Sequence, residues 1–405
     1  MTIESKRGKA NSVRVLKEAN KYLILQCIMK LAPMAIEDIV QQTGLSRPTV
    51  LNSVKELLDE EIITKDGFSD SGVGRSAALL NLNDQRHFAL GVDFEFPAIR
   101  MAIANMKGRI LASHCIQCQQ DIDKDTLLAL LRRELSDFVE GSGVDRSLID
   151  GAGVGISGVI DSARGVSLNL ERVRGWTRVP LKDDLEQLLG MPVFLRNDVH
   201  LLGLVEKRLY LPDDLQDFIY VAVRSGIGSI AYQHGKPMRG EKGNAGFIGH
   251  TTINPSGRRC CCGSCGCLET YAGQLAIVNQ YLECSHRAVT FDEVVKRAAE
   301  GEELANAILS DAGMYFGVAL ANLVKIFEIP QVIVGGMSVR EDSAFFRAAE
   351  TALHRYNAET LSLDATLRAG QLPESQYALG GCYLVFEHML SKPKLALSLN
   401  SLADA

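Results

Sequence analysis

The sequence predicts an α/β protein: a helical module with a short β-ribbon at the N-terminus, then a long region in which strands and helices alternate. Three observations carry this. Helical periodicity dominates residues 11 to 58, short β-branched runs separated by amphipathic stretches begin at His87, and five of the ten cysteines crowd between Cys260 and Cys267.

Composition sets the outer limits. With 405 residues, 46% hydrophobic and 23% charged, the chain has the make-up of a folded protein of two or three domains, which excludes disordered, collagen-like and coiled-coil classes. No window approaches the ~18 consecutive apolar residues of a membrane span, and Lys6, Arg7 and Lys9 are followed by no apolar leader core. The expectation is a cytoplasmic chain without membrane insertion. Net charge is -6, yet residues 1 to 80 hold 11 basic against 10 acidic side chains while the rest hold 32 against 39. That asymmetry permits an anionic polymer on the N-terminal part.

Val13, Val15, Leu16, Tyr22, Leu23, Leu25, Ile28 and Met29 predict a first helix over 11–31. After Pro33, the apolar positions Ile36, Ile39 and Val40 predict a second, and Gly44 lets the backbone turn at its end. Ser46 caps a third helix with Pro48 in the first turn, where a missing N–H costs little, and Val50, Val54, Leu57 and Leu58 form its inward stripe. Two short strands over 62–65 and 77–82 flank a polar, glycine-rich loop that ends in Arg75. Three helices and a ribbon in this order outline a winged helix-turn-helix, whose last helix enters the major groove of double-stranded DNA. On that reading Arg47, Pro48, Thr49, Asn52 and Ser53 lie opposite the apolar stripe with Lys55 beside them, placed to meet base edges and phosphates. Arg75 in the wing then approaches a phosphate or the minor groove.

The cysteine-rich segment reads as a metal centre. In a chain with no export signal, thiols this dense do not suggest a disulfide framework. His250, Cys260, Cys262 and Cys267 follow the spacing His-x9-Cys-x-Cys-x4-Cys, and three thiolates with one imidazole satisfy tetrahedral Zn2+. Four protein ligands leave no open position, so the ion is structural. Spacing alone leaves open which of Cys260, Cys261, Cys262, Cys265 and Cys267 bind; in the assignment above Cys261 and Cys265 are spare.

Strands are predicted over 88–93, 101–105, 110–116, 151–155, 193–195, 219–223, 229–232 and 332–334. Helices are predicted over 125–141, 201–209, 291–300, 304–328, 343–356 and 378–390. Within this series Gly249-His250, Cys260, Cys262, Gly263 and Gly266-Cys267-Leu268-Glu269 resemble the signature of the ROK family, named for repressors, open reading frames and sugar kinases. Further elements agree in order: Gly153 to Gly158, Asn169-Leu170, Gly175-Trp176, Asn197-Asp198, Ser225 to Gly228, and Val332 to Gly336. The resemblance covers almost the whole chain, and the N-terminal module is similar to that of the NagC-like and Mlc-like repressors.

That resemblance implies two actin-like (RNase H-like) lobes of the sugar kinase type behind the winged module. The expected domains are 1–84 for the DNA-binding module, 85–200 with 380–405 for the first lobe, and 201–379 for the second, with the zinc loop at 250–267. It places sugar contacts at Gly158, Asn169, Asn197, Asp198, His250 and Glu269, groups able to hold adjacent hydroxyls. His250 then serves both zinc and ligand. The implied function is a sugar-responsive transcriptional regulator, a repressor of carbohydrate metabolism genes, with a DNA operator and a sugar or sugar-phosphate effector as partners. Symmetric operators call for a homodimer or homotetramer, and the helices over 304–328 and 378–390 are candidate subunit contacts by analogy.

Two departures from the family pattern bear on activity. Kinases of the family hold ATP phosphates with a glycine-rich turn after the first strand; here that turn reads Asp93-Phe94-Glu95-Phe96-Pro97, which removes donors and adds a carboxylate. The second phosphate loop reads Arg224-Ser225-Gly226-Ile227-Gly228-Ser229. The chain is therefore not expected to be an enzyme, although Asp198 retains the position of the family's base. Phe247 stands where the family often has Glu, so the effector's identity is open. The alternatives are a sugar kinase and a regulator controlled by a protein partner.

Overall fold

The computed structural model of the chain describes residues 3–68, 77–119, 121–170, 172–336, 340–357 and 364–391. The N-terminal module consists of α1 (Ile3–Leu31), α2 (Ile36–Thr43), α3 (Arg47–Asp59), β1 (Ile63–Phe68) and β2 (Ala78–Leu82). Gly44 takes φ +67° at the end of α2, returning its N–H to the Val40 carbonyl at 3.0 Å. The Ser46 side chain accepts the Thr49 N–H to start α3. Ile24, Ile28, Ile39, Val50, Val54 and Leu57 interlock beneath, and β1 pairs antiparallel with β2, Ile63 facing Leu82.

The first lobe contains β3 (Phe88–Glu95), β4 (Ala98–Asn105), β5 (Ile110–Gln117), α4 (Lys124–Gly141), β6 (Ile149–Ile156), β7 (Val159–Asp161), β8 (Val166–Asn169), β9 (Thr177–Val179), α5 (Leu181–Leu189) and β10 (Val193–Asn197), and α6 (Asp198–Leu209) packs against the sheets of both lobes. The second contains β11 (Phe218–Val223), β12 (Ile227–Gln233), β13 (Lys236–Pro237), α7 (Glu269–Ala272), α8 (Gln274–Ser285), α9 (Phe291–Ala299), α10 (Glu303–Phe327), β14 (Gln331–Gly335), α11 (Ala344–Tyr356) and β15 (Thr366–Ala369). α12 (Leu379–Ser391) closes the described chain. The two five-stranded sheets repeat one plan. The order β10-β6-β3-β4-β5 is an antiparallel meander, β3 to β5, extended by parallel β6 and β10. The order β13-β12-β11-β14-β15 is again a meander, β11 to β13, extended by parallel β14 and β15. Central strands are covered on both faces, which is why β3 and β11 read as nearly unbroken apolar runs.

α12 returns from the far end of the chain to pack on β3, β4 and β6. The helix lies unusually close because glycines meet there: a Cβ built on Gly153 would sit 2.0 Å from the Gly381 carbonyl oxygen, and one on Gly381 2.1 Å from that of Gly153. Of the two helices expected at subunit contacts, α12 is largely enclosed within its own lobe, whereas α10 keeps an exposed face that includes Met314 and Ile326. Leu379 and Cys382 to Phe386 are buried inside the first lobe, and one face of α10, from Ala305 to Val324, is buried in the second, much of it against α11. α10 is also the one described helix long and apolar enough by composition to cross a membrane.

Sequence periodicity missed the small sheet β7-β8-β9 together with α5 and α8. Strands of three or four residues carry too few side chains to display an alternating pattern.

Candidate functional site

α3 presents Arg47, Pro48, Leu51, Asn52 and Lys55 to solvent, with Thr49 half-buried. Arg47 is held by Glu37 of α2, Nε to Oε1 2.8 Å, so its guanidinium is tethered at the rim of the exposed face. Ser53 requires a correction: at 3% exposure it lies on the inward side of α3, one residue before Val54, and cannot meet a base edge. Leu51, 38% exposed, takes its place on the solvent face, an apolar group suited to a thymine methyl. Arg75 lies outside the described residues.

The 250–267 loop folds back on itself through an Ile253 N–H to Gly266 carbonyl bond of 2.9 Å and a Cys260 N–H to Ser264 carbonyl bond of 2.8 Å. This brings the ligand atoms of His250, Cys260, Cys262 and Cys267 within 4.8 Å of one another. His250 Nδ1 stands 3.6 Å from Cys260 Sγ, and Cys262 Sγ 3.6 Å from Cys267 Sγ. Those separations suit the edges of a tetrahedron with Zn–S bonds of about 2.3 Å. The donor set and its geometry thus fit zinc. Cys267 is fully buried and Cys260 nearly so, whereas Cys265 is exposed.

Between the lobes lies a cavity of about 280 Å³, roomy enough for a monosaccharide. Gly158, Asn169, His250 and Glu269 line it, joined by Phe96, Leu170, Arg172, Ser225 and Phe247. His250 therefore belongs to both the cluster and the cavity, with Nδ1 toward the thiols. Gly158, at φ +83°, makes the turn into β7; a Cβ there would strike the Asn169 carbonyl at 2.3 Å. Glu269 Oε2 accepts the Ile227 N–H at 3.1 Å, which fixes the carboxylate against the second lobe. Arg172, not singled out by the sequence, donates from Nη2 to the Ser225 carbonyl at 2.5 Å and so ties the lobes across the cavity.

Asn197 and Asp198 do not line this cavity. Asn197 caps α6, its Oδ1 accepting the N–H groups of Val199 and His200 at 3.1 and 3.4 Å. Asp198 is 5% exposed and bonded to Arg224, Nη1 to Oδ2 3.2 Å. Arg224, 4% exposed, also grips both Asp93 oxygens at 3.0 and 2.6 Å and approaches Glu95 Oε2 at 3.1 Å. Tyr377 covers its guanidinium at 4.8 Å, and Arg100 reaches Asp93 at 3.1 Å and pairs with Glu374.

Burial drives the Asp198 carboxyl up from 3.8 to about 7; the Arg224 cation opposes this while Asp93 and Glu95 add to it. The folded chain thus binds this proton more tightly than the unfolded chain. Its stabilising contribution is complete below pH 3.8 and is lost as pH rises to about 7. Asp198→Asn, neutral at every pH, is expected to raise the melting temperature by about 5 °C at pH 8 and hardly at all at pH 5. Calorimetry at the two pH values checks this, and equal shifts would assign the effect to packing instead.

A helix-turn-helix with an exposed third helix, joined to two α/β lobes with a cavity between them, defines a two-lobed DNA-binding protein. The chain belongs to the ROK family, whose profile matches residues 89–388, and a winged helix-turn-helix DNA-binding profile matches residues 17–64. It is 27% identical over 395 residues to the xylose repressor of Caldicellulosiruptor bescii, covering 94% of this chain and 99% of that protein. It is 22% identical to the DNA-binding transcriptional dual regulator NagC of Escherichia coli, covering 95% and 96%. Among solved structures, a ROK family transcriptional regulator homologous to the E. coli Mlc protein superposes with a TM-score of 0.79 at 23% identity, covering 93% of this chain and 97% of that one. A ROK family glucokinase from Streptomyces griseus, in complex with glucose and AMPPNP, gives 0.66 at 24% identity and covers 73% and 98%, so the shared fold includes kinases.

Proposed function

We propose that this chain is a sugar-responsive transcriptional repressor of carbohydrate metabolism genes, acting in the cytoplasm as a homodimer or homotetramer. The observation that carries the reading is the presence in one chain of a winged module with an exposed third helix and a sugar-sized interlobe cavity, the module sharing with the lobes an apolar core that runs from Ile24 and Leu57 to Val199 and Phe386. Arg47, Pro48, Thr49 and Asn52 read operator DNA. Gly158, Asn169, His250 and Glu269 hold a sugar or sugar phosphate, Asn197 and Asp198 stand outside that set, and a structural zinc at His250, Cys260, Cys262 and Cys267 braces that wall. Xylose is the first effector to try, given the repressors this chain resembles. Phosphoryl transfer is opposed by the cluster around Arg224, which fills the side of the cleft where a nucleotide phosphate would need free donors.

Effector binding shifts operator affinity only if the ligand prefers one arrangement of the lobes. Fluorescence anisotropy on the chain's own upstream DNA, against unrelated DNA of equal length at fixed salt, is expected to show a preference of about 100-fold or more. Saturating effector then reduces it. No preference on upstream DNA, or an operator affinity unchanged by every sugar tried, overturns the reading.

A further inference from the structure

The two loops that would cradle a nucleotide phosphate are bonded to each other here. The Ser225 N–H, on the second lobe, donates to Glu95 Oε1 of the first at 2.9 Å, so a side-chain carboxylate occupies a backbone donor in the loop that holds phosphate in a kinase of this fold. Beside it the Arg224 guanidinium supplies the positive charge and takes Asp93, Glu95 and Asp198 as its anions. Asp93 and Glu95 belong to β3, Asp198 starts α6, and Arg224 follows β11, so the cluster crosses the cleft. Asp93 and Glu95 compensate the buried Arg224 cation, and removing the guanidinium alone would leave them buried with too little positive charge.

The cluster touches both ends of the molecule. Phe96 and Ser225, which line the cavity, are the direct chain neighbours of Glu95 and Arg224, so whatever fills the cavity bears on residues covalently joined to the cluster. Asp198 opens α6, a rod of about 18 Å at 1.5 Å per residue. At its other end Leu204, Tyr210 and Leu211 pack into the apolar cluster that contains Ile24, Leu25 and Ile28 of α1. Just beyond, Asp213 pairs with Lys30 at 3.1 Å.

We propose that Arg224 converts the phosphate half of the cleft into a latch between the lobes, and that α6 carries the state of this latch to the DNA-reading module. Arg224 is thereby a positioning residue: it touches neither DNA nor effector, holds Glu95 on the Ser225 N–H that a nucleotide phosphate would need, and sets where α6 sits. The proposal rests on the regulator reading for its biological output, but the latch itself is measurable without any effector.

The test uses the full chain and the charge-balanced variant Arg224→Met/Asp198→Asn, which removes one positive and one negative charge and leaves Asp93 and Glu95 within reach of Arg100. Hydrogen exchange and anisotropy on upstream DNA are measured side by side. Amides of 198–209 and of 20–31 are expected to exchange at least tenfold faster than in the parent, and operator affinity to change by tenfold or more, although the altered residues are remote from DNA. Faster exchange confined to 198–209 with operator affinity within twofold of the parent overturns the transmission through α6; unchanged exchange at both overturns the latch. Should the double variant fail to fold, Arg224→Lys, which keeps the charge but loses the guanidinium fork, is read by the same criteria with a threefold threshold. A parent protein without sequence preference defeats the regulator reading instead, and the exchange data still decide the latch.

Discussion

Replacing Cys267 with serine is expected to lower the melting temperature by about 10 °C or more and to abolish any thermal shift with sugar. Cys267 is fully buried and its Sγ is one corner of the His250, Cys260, Cys262 and Cys267 cluster. Zinc held by four protein ligands contributes about 10–16 kcal/mol to the folding of small zinc domains. Loss of even a third of that from one loop exceeds the few kcal/mol that shift melting by about 10 °C in a domain of this size. The functional loss follows because His250 belongs to the cluster and the cavity at once, so a loosened loop takes a cavity wall with it. Metal analysis of purified protein checks the assignment: one zinc per chain in the parent and in Cys265→Ser, none in Cys267→Ser. Retained zinc in the latter, or loss in Cys265→Ser, would transfer the ligand role to another thiol.

Asn52→Ala is expected to weaken binding to the operator by about 10- to 100-fold, as expected for loss of a bidentate base contact worth about 1–3 kcal/mol, while leaving unrelated DNA nearly unaffected. Asn52 stands exposed near the middle of α3, between exposed Leu51 and buried Ser53. Lys55→Ala provides the contrast. A lysine that meets phosphate weakens binding to every sequence alike and lowers the salt slope by about one. Salt titrations of both variants on both DNAs separate the roles. A uniform loss in Asn52→Ala would make α3 a backbone-contacting helix and move sequence reading elsewhere.

Elements with their own local signals were legible in the sequence. The cap at Ser46, the left-handed Gly44 and the apolar stripe of α3 each act within one or two turns, so α2 and α3 were placed from short-range pattern. The metal cluster was legible because its thiols are close in sequence, and the structure brings the same four side chains together. Ser53 shows the limit: its place on α3 borders the apolar stripe, and a small hydroxyl carries no signal of which side of that border it takes. Arg224 shows a deeper one. Its partners Asp93 and Asp198 lie 131 and 26 residues away, so the altered phosphate loops could be read as losses of function but not as a bonded pair. Arg172 gave no signal for the same reason, since its partner Ser225 is 53 residues off.

The seat of α12 against Gly91 and Gly153 has a consequence for the order in which the protein is made. A growing polypeptide completes the winged module within its first hundred residues, and that module's buried side chains include Ile24, Leu57 and Leu82. The first lobe's sheet, by contrast, is covered on one face only in part, by α6, until residues 379–391 leave the ribosome, because no other described helix occupies the groove that Gly153 and Gly381 create. A prematurely terminated chain therefore carries a DNA-reading head on a lobe with a partly open apolar face, a form that proteases and chaperones recognise. The stability of the first lobe thus arrives with α12, long after the sheet that it covers has been made.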